Sequence, residues 1–105
     1  MRVVSRSLLF SGIVGIFALI PLAQAQAYAG HQYAAQAHIS LAQARVIVLK
    51  AFPGEIIKEE LEKEKGGSGL RYSFDIRHDK LIHEVGVDAK TGKVLENSDD
   101  SNDSD

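Results

Sequence analysis

The 105-residue sequence has no cysteine and no tryptophan, one methionine and two prolines. The lack of cysteine excludes disulfides, thiol catalysis, thiolate metal sites and a lipid-modified N-terminal cysteine. Long hydrophobic runs are also missing. The longest, Leu8 to Ile20, is about thirteen residues and is interrupted by Ser11 and two glycines, whereas a membrane-spanning helix needs roughly twenty. No excess of basic charge exists to draw the chain to nucleic acid or an anionic membrane, with 12 basic against 14 acidic residues.

What the N-terminus does contain is the pattern of an export signal. Arg2 and Arg6 precede the apolar run, Pro21 ends it, and small residues follow. Ala23-Gln24-Ala25 and Ala25-Gln26-Ala27 both fit the A-x-A cleavage pattern, so cleavage is expected after Ala25 or after Ala27. The mature chain would then begin at Gln26 or Tyr28 and be periplasmic or secreted. It would touch a membrane only if the signal stayed uncleaved. Loss of Arg2 and Arg6 leaves ten of the 12 basic residues against 14 acidic ones, a net charge of −4. We expect a signal peptide over residues 1–25, a flexible lead-in over 26–38, one small domain over 39–97, and a disordered acidic tail over 98–105. That tail is Asn, Ser and Asp, with nothing to bury.

A helix is expected from Ser40, which can cap it while Gln43 reaches back, forming a capping box. Leu41, Ala44, Val48, Ala51 and Phe52 recur at helical spacing, with Val46, Ile47 and Leu49 widening the stripe. Pro53-Gly54 ends it. Glu55 to Lys65 is ambiguous: its residues favour helix, yet Ile57 and Leu61 alternate with polar neighbours as in a strand. A flexible glycine loop, Gly66-Gly67-Ser68-Gly69, follows. Leu70, Tyr72, Phe74 and Ile76 then alternate with Arg71, Ser73, Asp75 and Arg77, and a second alternating run carries Leu81, His83, Val85 and Val87. A hairpin centred between Asp79 and Lys80 would set Tyr72 opposite Val87, Phe74 opposite Val85 and Ile76 opposite His83, all on one buried face. The other face would pair Arg71 with Asp88 and Asp75 with Glu84. Asp88 to Gly92 reads as a turn in which Gly92 takes positive φ, and Lys93 to Glu96 as a last short strand. The fold class is α+β: one N-terminal helix on a three- to four-stranded antiparallel sheet.

Taken in order, A-F-P-G-E-I at the helix end, R-Y-S-F-D-I, and V-G-V-D-A-K-T-G-K-V-L resemble the PepSY domain family over Ile39 to Asn97. The Asp79-Lys80 turn departs from the Asp-Gly or similar pair often found there. The resemblance implies that Glu55 to Glu64 is the first strand of the sheet. It also implies a role in modulating peptidases, as in the propeptides of thermolysin-type metallopeptidases.

The residues do not spell out an enzyme, and we expect none. His31, His38, His78 and His83 lack metal-site spacing, the glycine loop lacks the lysine and helix of a phosphate cradle, Ser40 reads as a cap, and Ser68 and Ser73 have no adjacent base in sequence. No cofactor, metal or catalytic residue is expected. The expected function is an exported non-catalytic binding module that modulates or inhibits a peptidase. The polar-face residues Arg71, Ser73, Asp75, Arg77 and Glu84 are its candidate contacts. A small periplasmic metal- or ligand-binding sensor, using histidines and the acidic tail, is the alternative. Phe52, Pro53, Gly54, Tyr72, Phe74, Val87, Asp88 and Gly92 are read as core and turns.

Overall fold

A computed structural model describes residues 28–101. The expected export signal, with its expected cleavage after Ala25 or Ala27, lies outside the described residues, as does the end of the acidic tail. The described chain begins with a short 3-10 helix, His31–Gln36, followed by helix α1, Leu41–Ala51. Four strands follow: β1 Glu55–Lys63, β2 Leu70–His78, β3 Leu81–Asp88 and β4 Val94–Asp99. They form an antiparallel sheet in the order β1-β2-β3-β4, with α1 across one face. The fold is thus α+β.

Helix α1 starts where its sequence satisfies the first free amides. Ser40 Oγ accepts from the Gln43 amide at 3.1 Å, and the Ser40 amide donates to Gln43 Oε1 at 2.8 Å. Ala44 and Val48 are its buried residues, while Val46, part of the wider apolar stripe, faces solvent. Pro53 and Gly54 carry the chain into β1.

The segment with helical propensity is a strand, because its tertiary partners override a weak local preference. A bulge between Ile56 and Lys58 breaks its register with β2. As a result Ile56 pairs with Ile76 on the helix side and Ile57 stands exposed, so the alternation of Ile57 with Leu61 does not carry through. Beyond the bulge, Glu59 and Leu61 lie on the helix side, opposite Phe74 and Tyr72.

The β2–β3 hairpin has Tyr72 against Val87, Phe74 against Val85 and Ile76 against His83. All but His83 are buried, and together with Leu61, Leu70, Ala44, Val48 and Tyr28 they make the core. Burial raises the Tyr72 phenol to about 12, with nearby Tyr28 adding to the shift, and the neutral hydroxyl donates to the Ile39 carbonyl at 2.8 Å. Phe52 stands at the core's rim, stacked on the His83 ring at 3.8 Å between centroids. His83 Nδ1 donates to Asn97 Oδ1 at 2.7 Å.

Strand β4 runs on through Asn97, Ser98 and Asp99, past the end expected at Glu96. Its backbone ladder with β3 needs no apolar side chains, and Ser101 closes it by accepting from the Ile82 amide at 2.7 Å. The lead-in packs as well. Tyr28 is buried in the core, and Ala29 forms a parallel bridge to Glu60 on the outer edge of β1.

Candidate functional site

Pleating sends alternate residues of β2 away from α1. Arg71, Ser73, Asp75 and Arg77 therefore share the open face of the sheet. Glu84 joins them from β3, opposite Asp75. Glu60 and Glu62 come from β1, paired with Ser73 and Arg71, and Glu96 comes from β4, paired with Gly86. The structure brings all five sequence-predicted contact residues onto one surface, but it gives them different work.

Arg71 is not a free surface cation. Its side chain is only 9% exposed, with Nη1 3.2 Å from Glu64 and 3.3 Å from Glu96. Nη2 donates to the Lys65 carbonyl at 3.1 Å, while Nε is buried with no partner. The bare backbone of Gly86 leaves the trough in which this side chain lies, since a Cβ there would stand 3.3 Å from Arg71 Cδ. Arg77 at the far end of β2 makes an exposed pair with Glu55 at 2.9 Å.

Between the two arginines the face is acidic. Six carboxylates (Glu60, Glu62, Glu64, Asp75, Glu84 and Asp100), Ser73 and one cation, Lys58, line a shallow cleft of about 200 Å³. Ser73 donates to Glu62 at 2.7 Å. One oxygen each from Asp75, Glu84 and Asp100 lie within 4.8 Å of one another. Burial raises the Glu84 carboxyl above its ordinary range, and Glu96, Asp100, Asp75 and Glu62 raise it further. Glu60 is raised too, by burial first and then by a hydrogen bond with Glu62, against the opposing pull of Lys58. A face of this kind can take up a cation or a cationic side chain. The sequence reading missed Asp100, because it assigned that residue to a tail with no fixed place.

The same face ends at Asp88, which is 1% exposed. Burial alone would raise its carboxyl. Four hydrogen bonds outweigh that effect and hold it down to about 2. Ser68 donates from its amide at 2.6 Å and its hydroxyl at 2.8 Å, and the Lys90 and Thr91 amides donate at 2.8 and 3.1 Å. The glycine-loop residue Ser68 is therefore tied to the β3–β4 turn, where composition suggested only flexibility. Gly92 follows with φ +79°, a backbone angle that L side chains rarely adopt. Its amide donates to the Asp88 carbonyl at 2.8 Å.

A family model described as "Peptidase propeptide and YPEB domain", PepSY, matches residues 39–97. That match spans more than half of the chain and runs from just before α1 into β4. The helix, the first three strands, the Asp88 turn and most of β4 fall within it, and the chain belongs to the PepSY family. No curated protein and no solved structure was found to match. Among the described residues no helix is long and apolar enough to cross a membrane.

Proposed function

We propose that this protein is an exported, non-catalytic binding module that restrains or otherwise modulates a peptidase through the open face of its sheet. What carries the reading is family membership over the whole foldable domain, in a family described by peptidase propeptides. Support also comes from a sheet face that α1 leaves uncovered and that is built of charged side chains. Such a surface recognises a partner without any nucleophile or base of its own. Asp75, Glu84 and the exposed Arg77 are the contacts; Arg71 and Ser73 hold the face in shape.

The test is capture of partners from the exported fraction on immobilised protein, followed by assay of any peptidase retained. Wild-type protein is expected to slow it, and an Asp75→Ala, Glu84→Ala protein with an unchanged melt to slow it less. Failure to retain a peptidase, or equal restraint by both proteins, would sink the proposal.

A second reading, a small divalent-cation sensor, is favoured by one observation: the mutual approach of Asp75, Glu84 and Asp100. Carboxylate oxygens suit a hard cation such as calcium. A rise in melting temperature with calcium that Glu84→Gln abolishes would support it, and calcium-independent melts would dismiss it.

A further inference from the structure

The outer edge of β1 is where the chain binds a strand of its own. Ala29 lies beside Glu60 in parallel, and the Leu61 amide donates to the Ala29 carbonyl at 2.9 Å. Gly30, at φ +88°, lies so close that any Cβ would run into the Leu61 carbonyl. This self-made strand is short. The 3-10 helix after it has no fully buried residue, though its Tyr33 and the following Ala37 pack against the core, and Tyr28 is the buried side chain that anchors the segment. Smaller ties are a His31 Nδ1 hydrogen bond to the Tyr28 carbonyl at 3.2 Å and the Lys63 ammonium 5.1 Å from the centre of the Tyr33 ring.

The edge continues past this plug. A cleft of about 470 Å³ lies between the plug, Arg45 of α1 and β1 residues Ile56 to Glu59. Glu59 is held in its wall by a two-pronged pair with Arg45, at 2.6 and 2.9 Å. Ile57, pushed out by the bulge, stands 40% exposed beside it. Side chains of bridged parallel neighbours point to the same side, so a residue in the place of Ala29 faces the open acidic side with Glu60 and Glu62. A residue in the place of Tyr28 faces the core.

We propose that the β1 edge is a strand-addition site for an extended partner segment, and that Tyr28-Ala29 is its displaceable resident plug. The segment alternates aromatic residues, which take over the Tyr28 slot, with Lys or Arg, which meet Glu60 and Glu62 alongside Lys58. The charges guarding β1 discourage pairing with a second copy while matching a basic strand. This deepens the reading of the domain as a partner-binding module, on which it rests.

The absence of cysteine makes a clean test possible. In the full chain, Ala29→Cys with Glu60→Cys places one oxidisable pair across the bridge, so oxidation fixes the plug and reduction frees it. The probes are an acetylated alternating tyrosine–lysine peptide and its tyrosine–glutamate counterpart. The lysine peptide is expected to bind the wild-type chain, to bind the reduced double variant more weakly through Glu62 because Glu60 is gone, and to lose at least about tenfold more in affinity on oxidation, as a blocked site requires. It should slow hydrogen exchange at the Glu59 and Lys63 amides, which face outward with Leu61 by strand alternation. The glutamate peptide should bind neither form. Tyr28→Ala, which loosens the plug without any new cysteine, should tighten binding of the lysine peptide. Equal binding in both redox states, protection on β4 instead of β1, or no gain from Tyr28→Ala overturns the edge site. Equal peptidase restraint by oxidised and reduced protein also overturns it and leaves the proposed function standing. Restraint absent from both forms, with peptide binding still lost on oxidation, removes that function and supports the edge.

Discussion

Glu84 and Asp88 lie on the same strand and the same face of the sheet, and their surroundings push them in opposite directions. Asp88 is more buried, yet its carboxyl is lowered to about 2, because two amides of its own turn and the amide and hydroxyl of Ser68 all point at it. Glu84 is less buried and is raised, because burial acts on it with Glu96, Asp100, Asp75 and Glu62 nearby. Burial alone does not decide the sign; the count of donors does. One carboxylate has become part of the scaffold. The other remains a charge the fold tolerates rather than uses, which is what a binding surface requires.

The largest change expected removes the common floor beneath both. Phe74, buried under the open face, should cost about 3–5 kcal/mol as Phe74→Ala. A domain this small has stability near the low end of about 5–15 kcal/mol, so thermal melts should find the variant largely unfolded. A variant melting like wild type would mean that the core is not organised around β2.

Asp88→Asn comes next and should cost about 2 kcal/mol at neutral pH, the worth of a carboxyl lowered from 3.8 to about 2. The sign follows from the lowered folded value. The contribution is complete well above pH 3.8 and disappears as pH falls from about 3.8 to about 2. Denaturant titrations of the two proteins should therefore converge in that window. A gap that persists at pH 2 would show that geometry, not charge, accounts for Asp88.

Much of this contrast was legible in the residues. Two runs of strict alternation around Asp79-Lys80 fix the hairpin register, and register decides that Arg71, Asp75, Glu84 and Asp88 share a face. The Ser40–Gln43 box and the Asp88–Gly92 turn are local and readable for the same reason. What stayed hidden depends on contacts distant in sequence. Nothing near Ser68 announces Asp88. The doublet Ile56-Ile57 gives no sign of which isoleucine a bulge will expel. Arg71 looks like any solvent-facing arginine until Gly86 of the next strand is seen to leave it a trough. Asp100 reads as tail until β4 carries it to Glu84.

Arg71 sits on the face between Asp88 and the acidic cluster, and Arg71→Ala tests whether the two regions are independent. Its partners Glu64 and Glu96 are partly exposed, at 48% and 33%, so losing the charge pairs costs little. Losing the packed stem over Gly86 costs more. A loss of about 1–2 kcal/mol is expected in denaturant melts, within the common range for single substitutions. Arg71 and Asp88 are cross-strand partners, so the two losses should couple modestly, by about 0.5 kcal/mol. Coupling well above that would show that they form one network and that the contrast is drawn too sharply.

The smallest effect has the opposite sign. Glu84→Gln keeps shape and removes a charge that burial and four carboxylates disfavour. The folded value of Glu84 lies above its unfolded one. The stability linked to its proton is therefore present below the unfolded value and lost as pH rises through the folded one. Wild type should trail the glutamine variant above that range by up to about 0.5 kcal/mol, a typical scale for a surface substitution, and match it in acid. Salt should narrow the gap, because the repulsion acts through partly exposed groups. Paired melts at neutral and acidic pH, with and without added salt, check all three statements. A Glu84→Gln protein less stable than wild type at neutral pH would mean that Glu84, like Asp88, has donors of its own, and that the acidic face belongs to the scaffold.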